Sequence, residues 1–222
     1  MKNLSSYIDH TLLKATATKN DIIQLCNEAK QYKFHSVCVN SCYAILAKEQ
    51  LKDSSVKVCC VIGFPLGAMS TLAKVAEAKQ AMIDGADEID MVLNVGLLKS
   101  KDFDAVWKDI EAVKKCLPHQ TLKVILETCY LEELEIIKAS ELAIHSGADF
   151  IKTSTGFGTG GATIHDVTLM KSVAKGLVKI KASGGVKDHK TALEYINLGV
   201  ERLGTSSGIA IVTGGISDEK NY

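Results

Sequence analysis

The chain has 222 residues, and its 26 Lys and Arg balance 26 Asp and Glu, so the formal net charge is zero. This length suits one domain with a substantial core, and the balance lacks the basic excess typical of nucleic-acid-binding proteins. The first residues carry no apolar signal segment, and no apolar run is long enough to span a bilayer. The seven cysteines are scattered without a CxxC pair, so we expect reduced thiols and a cytoplasmic protein. From the charge balance and the lack of a long apolar run we expect neither nucleic-acid nor membrane partners.

Short apolar, β-branched stretches alternate along the chain with longer stretches of helical period. Eight strands are predicted, at Tyr7–Thr11, His35–Asn40, Val56–Phe64, Glu88–Asn94, Leu122–Thr128, Phe150–Thr155, Lys179–Ser183 and Arg202–Ser206. Helices of about three to four turns are predicted between them, for example Ser70–Gly85, Asp102–Cys116, Leu131–Ser146 and His189–Leu198. Eight such units in one unbroken chain predict an α/β fold, a single (β/α)8 TIM barrel over residues 1–222. The rival doubly wound sheet is disfavoured because an early GxGxxG is missing. The polar end of the chain predicts a mobile tail over 210–222.

A weak internal repeat indicates which strand residues face the barrel interior. In DGADEIDMV, SGADFIKTS and LGVERLGTS a helix ends on Gly and a strand follows. Five residues past the glycine lie Asp90, Lys152 and Gly204, and the same count from Gly176 gives Lys181. We expect these positions at one height, pointing inward near the C-terminal ends of the strands. A slip of one residue would turn every side chain outward, so this register stays a prediction.

Lys152 and Lys181 are lysines within predicted neighbouring strands, which lie about 4.8 Å apart in a sheet. Two buried ammonium groups at that spacing repel each other, so one amine is expected to become neutral. A neutral lysine amine is a nucleophile towards carbonyl carbon, as imine formation requires. Asp90, on strand 4, can serve as a proton carrier or as the partner that neutralises a lysine, and the two interpretations are compatible.

Glycines follow three consecutive predicted strands, at Gly156, at Gly184 and Gly185, and in GTSSG, which contains Ser206 and Ser207. Loops after strands 7 and 8 of such barrels often bind phosphate through backbone N–H groups. Glycine also makes ordinary turns and serine caps ordinary helices. Three such loops at consecutive strand ends favour a phosphate site.

Other residues give weaker signals. The six histidines are isolated, so no metal site is predicted. Cys38, on strand 2, either lines the pocket or fills the core. Glu127 ends strand 5 and its role stays open. Asp9, in IDHTLL, either orients a substrate hydroxyl or ties the first strand to a neighbour.

Five motifs together resemble the deoxyribose-phosphate aldolases, class I aldolases of the DeoC type. They are IDHTLLK, GADEIDMVLN, FIKTSTGFGTGGAT, KASGGV and RLGTSSG, and they run from Asp9 to Gly208 in the family's order and spacing. The resemblance implies reversible cleavage of 2-deoxy-D-ribose 5-phosphate to acetaldehyde and D-glyceraldehyde 3-phosphate. It further implies a Schiff base mechanism with neither a cofactor nor a metal, deoxynucleoside degradation in the cytoplasm, and a homodimer.

The same resemblance implies roles for individual residues. Lys152 matches the Schiff base lysine, and Asp90 and Lys181 match the proton-transfer residues. The implied substrate-binding residues are Asp9, Cys38, Thr153, Gly156, Gly184, Gly185, Ser206 and Ser207. The chain departs from some members at Phe157, where those relatives have a phosphate-binding lysine. It ends in Tyr222, and a C-terminal tyrosine reaches the site in some members.

Three alternatives stay open at the level of sequence. One is another Schiff base aldolase or transaldolase with a different donor. A second is a barrel that binds a sugar phosphate without chemistry, although two buried ammonium groups would weaken such a binder. The third is a flavin-dependent barrel.

Overall fold

The computed structural model describes residues 3–215, which form one closed barrel of eight parallel strands in sequential order. The strands are β1 Ile8–Leu12, β2 Ser36–Asn40, β3 Lys57–Ile62, β4 Glu88–Val92, β5 Thr121–Ile125, β6 Phe150–Lys152, β7 Lys179–Ser183 and β8 Arg202–Thr205. Each strand pairs with the next, and β8 pairs with β1 to close the ring. The prediction of a (β/α)8 barrel is confirmed.

Helices follow the strands on the outside of the barrel. Within residues 3–215 they are α1 Lys19–Tyr32, α2 Ala44–Gln50, α3 Thr71–Ile83, α4 Val95–Lys99, α5 Phe103–Lys115, α6 Glu133–His145, α7 Ile164–Ala174, α8 His189–Asn197 and α9 Gly208–Thr213. α1 begins with a capping box: the side chain of Thr18 accepts the N–H of Asp21, whose carboxylate accepts the N–H of Thr18. None of the described helices is long and apolar enough to cross a membrane.

The alternation of side chains along the strands divides the core in two. On β3, Val58, Cys60 and Ile62 belong to the large apolar cluster between the strands and the helices. The intervening Cys59 and Val61 belong to a small second cluster. Successive strand residues face opposite sides of a sheet, so this second cluster lies inside the barrel. The rest of the interior is largely polar, and the candidate site lies there.

Several predicted strands are too long at their C-terminal ends. β5 ends at Ile125 instead of Thr128, and β6 ends at Lys152 instead of Thr155. The reason is that Thr155 donates its backbone N–H to a side chain, the carboxyl of Glu127, and so leaves the sheet. The β-branched residues of this loop have strand propensity, but hydrogen bonds to a neighbouring loop override it.

The predicted mobile tail begins too early. Residues 210–213 belong to α9, whose Ile211 is fully buried. Residues 216–222 of the predicted tail, Tyr222 among them, lie outside the described residues.

Candidate active site

Seven buried charged side chains meet inside the barrel. They are Asp9, Glu88, Asp90, Lys123, Lys152, Lys181 and Arg202. The register explains the grouping, because Asp90 is the Cα partner of Lys123 and Lys152 is the partner of Lys181. Partners on neighbouring parallel strands face the same side of the sheet. The structure therefore brings together the three residues that the sequence singled out for chemistry, Asp90, Lys152 and Lys181.

Asp90 is the centre of this group. Its Oδ2 accepts hydrogen bonds from Lys152 Nζ at 2.9 Å and Lys181 Nζ at 2.8 Å. Its Oδ1 accepts from Lys123 Nζ at 2.7 Å and the Cys59 thiol at 3.1 Å. Burial alone would raise the pKa of Asp90, but the three ammonium groups outweigh burial and hold that pKa well below its ordinary value. Asp90 is therefore an anion in the resting site.

Lys181 bridges two carboxylates. Its Nζ lies 2.6 Å from Asp9 Oδ2 and 2.8 Å from Asp90 Oδ2. Burial alone would lower the pKa of Lys181, but the two carboxylates reverse the effect and hold the pKa well above its ordinary value. Of the two lysines predicted to repel each other, Lys181 therefore keeps its proton, because carboxylates lie beside it.

Asp9 is engaged on both oxygens. Besides Lys181, it accepts hydrogen bonds from Arg202 and from Ser36 Oγ, the latter at 2.7 Å. Burial opposes ionisation, but Arg202 and then Lys181 lower the pKa of Asp9 to about 2. Of the two roles considered for Asp9, these contacts favour the tie between β1 and its neighbours.

Three members of the cluster were missed from the sequence: Glu88, Lys123 and Arg202. Glu88 Oε2 lies 2.6 Å from Lys123 Nζ and 2.7 Å from Arg202 Nη2. Burial alone would lower the pKa of Lys123, but Asp90 and Glu88 raise it above its ordinary value. The half-exposed Lys57 also approaches Glu88, at 3.8 Å. The missed signal was the alternation itself, because Lys123 follows an apolar residue within a strand in TLKVI as Lys152 does in FIK.

Six of the seven side chains form a closed ring of alternating charge, which we call the ionic ring. Its order is Asp9, Lys181, Asp90, Lys123, Glu88, Arg202 and back to Asp9. Each cation of the ring contacts two carboxylates, so three positive charges balance three negative ones. Lys152 stands outside this balance. Among the described residues its amine has one carboxylate within salt-bridge distance, Asp90, through an oxygen that it shares with Lys181.

The predicted phosphate loops lie at the C-terminal ends of β6, β7 and β8. Gly156, Gly184 and Gly185 have φ of 87°, 82° and 82°, which L side chains rarely adopt. The loops also pack closely, since a Cβ added to Gly161 would lie 2.3 Å from the carbonyl oxygen of Gly184. Because these glycines have no side chains, backbone atoms line one side of the opening at the C-terminal end of the barrel.

Ser206 and Ser207 differ in their surroundings. Ser206 is partly exposed and lines a cavity of about 310 Å³ beside the end of β1, together with His10 and Lys14. Ser207 is buried, and its backbone N–H donates to Thr205 Oγ1 at 2.9 Å. It takes the N-cap position of α9 but makes no side-chain capping bond there.

The other predicted binding residues have protein partners. Thr153 Oγ1 donates to Ser183 O and accepts from Ser183 N, each at 3.1 Å, so it ties β6 to β7. Cys38 is fully buried beside its Cα partner Cys59. The ring of Phe157 packs edge-on against Phe64, with centroids 5.3 Å apart. Position 157 therefore gives this chain an aromatic wall instead of a cation.

Cys38, Cys59 and Asp90 place potential ligand atoms within 4.8 Å of one another. Lys123 Nζ lies 3.3 Å from Cys59 Sγ and 2.7 Å from Asp90 Oδ1. This ammonium group would repel a metal ion placed between the three residues. Burial also raises the pKa of the Cys59 thiol well above its ordinary value, which disfavours the thiolate that a metal binds. We assign Cys59 and Lys123 to the hydrogen bonding of Asp90.

A parallel barrel with a reactive ionic cluster beneath glycine loops at its C-terminal face is the architecture of a TIM-barrel enzyme. Comparison with known proteins agrees with this class. The family model described as "DeoC/LacD family aldolase" matches residues 4–213. A deoxyribose-phosphate aldolase of Finegoldia magna is 57% identical, over 95% of this chain and 99% of its own length. One of Thermococcus gammatolerans is 56% identical, over 96% of each chain.

A solved structure is similar as well. The deoxyribose phosphate aldolase of Aeropyrum pernix, described as a unique tetramer, superposes with a TM-score of 0.88 at 33% identity, over 95% of this chain and 89% of that one. The chain belongs to the DeoC/LacD family of aldolases. It is an enzyme of the lyase class, which sets aside the reading as a binding barrel without chemistry.

Proposed function

We propose that this aldolase reversibly cleaves 2-deoxy-D-ribose 5-phosphate to acetaldehyde and D-glyceraldehyde 3-phosphate through an imine on Lys152. The names of the relatives support the substrate. One observation supports the mechanism: Lys152 adds a further amine beside an ionic ring whose charges already balance. The reaction needs neither a metal nor a cofactor and would serve deoxynucleoside degradation in the cytoplasm.

The ionic ring favours Lys152 as the amine that loses its proton. Lys123, Lys181 and Arg202 each hold two carboxylates and balance all three. A proton on Lys152 would add a fourth positive charge to a site already neutral and buried, which is unfavourable. Deprotonation of Lys152 leaves the ring intact and yields the nucleophile.

The covalent steps follow from this arrangement. Lys152 Nζ attacks C1 of the open-chain sugar, and loss of water gives a protonated imine. The electrons of the C2–C3 bond then move towards the imine nitrogen while the C3 hydroxyl gives up its proton, which releases glyceraldehyde 3-phosphate. The enamine left on Lys152 takes a proton at its terminal carbon, and hydrolysis of the resulting imine frees acetaldehyde and the amine.

Asp90 and Lys181 are proposed to move the protons. While the nitrogen of Lys152 carries a positive charge, three cations surround Asp90 and its pKa is too low for an efficient base. A water held by Asp90 and Lys181 relays the proton of the C3 hydroxyl to the Asp90 carboxylate as the C2–C3 bond breaks. When Lys152 becomes a neutral enamine, Asp90 has fewer cations beside it and becomes a better acceptor.

The backbone of the glycine loops is proposed to hold the phosphate, with Gly156, Gly184 and Gly185 on one side and Ser206 and Ser207 on the other. Anchoring the phosphate end fixes C1 near the amine, and such positioning supplies several kcal/mol of barrier reduction. Self-association is part of the same proposal, as a homodimer. The tetrameric relative of A. pernix supports association, and light scattering of the purified protein tests its order.

A borohydride trap tests the mechanism. The protein is mixed with acetaldehyde, reduced, digested and mapped by mass spectrometry. We expect an N-ethyl group on Lys152, no adduct at that peptide in Lys152→Leu, and cleavage of the sugar phosphate by the wild type only. Cleavage without the adduct would refute the imine on Lys152. An adduct formed only with another carbonyl donor would favour a different aldolase or a transaldolase.

A further inference from the structure

Glu127 occupies an irregularity between β5 and β6, immediately beside the proposed nucleophile. The N–H of Leu126 donates to Lys152 O at 2.9 Å, and the N–H of Thr128 donates to Thr153 O at 3.0 Å. The chain after β5 therefore advances two residues while the chain after β6 advances one. Glu127 is the extra residue of this bulge and has the left-handed conformation φ 58°, ψ 59°. Bulges beside active sites commonly redirect a side chain.

The redirected carboxyl of Glu127 holds the loop that follows Lys152. Its Oε1 accepts the backbone N–H of Thr155 at 3.1 Å, and its Oε2 accepts the Thr155 hydroxyl. Thr155 Oγ1 in turn accepts the N–H of Phe157 at 3.0 Å. Two side chains thus fix the turn 155–157, which contains Gly156 with φ 87°.

Glu127 lies in surroundings that are unfavourable for a carboxyl group. It is 3% exposed, and within residues 3–215 no Lys, Arg or His lies at salt-bridge distance from it. Gly158 closes over it so tightly that an added Cβ would lie 2.7 Å from Cys129 Sγ and 3.3 Å from Glu127 Cδ. Burial of a polar group and a left-handed non-glycine residue are each costly, and both are typical of functional positions.

Different hydrogen bonds hold the turn 155–157 and the backbone that carries the Lys152 amine. Lys152 and Thr153 are held by strand-type hydrogen bonds, Leu126 N to Lys152 O and Thr153 N to Lys181 O at 3.1 Å. These bonds do not involve the Glu127 side chain. Loss of its carboxyl should therefore release the turn that contains Gly156 while Lys152 stays in place.

We propose that Glu127 is a positioning residue that, through Thr155, sets the backbone at Gly156 for the phosphate group of the substrate. The proposal rests on the function proposed above. It assigns a role to a residue whose part the sequence left open. It also accounts for phosphate recognition in a chain that has Phe157 where some relatives have a lysine, because ordered backbone then has to supply the contact.

The test compares substrates with and without phosphate in two variants. Glu127→Gln keeps the size and one acceptor but replaces the oxygen that accepts the Thr155 hydroxyl, and Thr155→Val removes that hydroxyl alone. For each we expect KM for 2-deoxyribose 5-phosphate to rise about tenfold or more, while kcat/KM for 2-deoxyribose stays within about twofold. Acetaldehyde trapping on Lys152 should stay at the wild-type rate. Glu133→Gln, an exposed carboxylate at the start of α6, is the matched control.

The outcomes separate the two proposals. Equal losses with both sugars, or slower trapping, would show general structural support and overturn the phosphate-specific role. Unchanged kinetics in both variants would overturn it as well. Failure of the wild type to cleave the phosphorylated sugar would refute the proposed function instead. If Glu127→Gln does not fold, as judged by circular dichroism, Thr155→Val decides the question.

Discussion

Removal of Lys123 tests the ionic ring at a point away from the reacting carbon. Lys123 is fully buried and joins Asp90, at 2.7 Å, to Glu88, at 2.6 Å. In Lys123→Met three carboxylates face two ring cations, so Asp90 needs Lys152 as a counter-ion. The Lys152 amine should then be held more firmly in its ion pair with Asp90, and imine formation at neutral pH should slow although no substrate contact has been removed.

The magnitude follows from the contacts. An amine held in a buried ion pair must leave that pair before it can attack, so we expect borohydride trapping at pH 7 to slow about tenfold or more. Removal of one partner from a buried ion pair also costs about 3–5 kcal/mol of unfolding free energy. Lys179→Met, an exposed lysine on the same sheet, is the control. Trapping at the wild-type rate would refute the reasoning.

The stability of the same variant should depend on pH in a defined direction. The folded-state pKa of Asp90 lies below its unfolded value, so its ionisation stabilises the wild type above an unfolded pKa of about 3.9 and the gain is lost as the pH falls. Without Lys123 this depression is smaller. Urea unfolding should therefore show the largest deficit of the variant near neutral pH and a smaller one below about pH 4. A deficit that is constant with pH would point to lost packing alone.

Two further substitutions probe the site. Lys181→Leu should lower turnover about 10²- to 10⁴-fold, because it removes a proton-transfer group, while isothermal titration still detects sugar-phosphate binding. Normal turnover would remove Lys181 from the mechanism. Phe157→Lys should lower KM for the phosphorylated sugar about threefold or more, since a partly exposed cation can pair with phosphate, and leave KM for 2-deoxyribose unchanged. An equal change for both sugars would show that loss of the packing against Phe64 is responsible.

The barrel and the meeting of Asp90, Lys152 and Lys181 could be predicted because both depend on local repetition. A helix that ends on Gly and a strand that begins soon afterwards set the height of each strand residue, and alternation sets its direction. The ends of β5 and β6 could not be predicted this way. The bulge at Glu127 and the bond from Thr155 to its carboxyl join residues 28 positions apart, and no local pattern reports such a contact.

The missed members of the ionic ring show a different limit. Glu88 precedes Asp90 by two residues and Arg202 precedes Gly204 by two, so alternation places all four on the interior side. Glu88 and Arg202, however, meet each other from β4 and β8, on opposite sides of the barrel. A single sequence fixes the face of a strand residue but not which side chain across the barrel it meets.

The expected repulsion between Lys152 and Lys181 therefore left out the carboxylates beside the two lysines. Considered as two ammonium groups, either lysine could lose its proton. The carboxylates decide between them, because Lys181 holds Asp9 and Asp90 together whereas Lys152 shares a single oxygen. Buried ion pairs often stabilise a fold less than apolar residues of the same shape would. A neutral ring with one surplus amine suits the proposed chemistry instead, since it keeps Lys181 charged and leaves Lys152 with a single carboxylate contact.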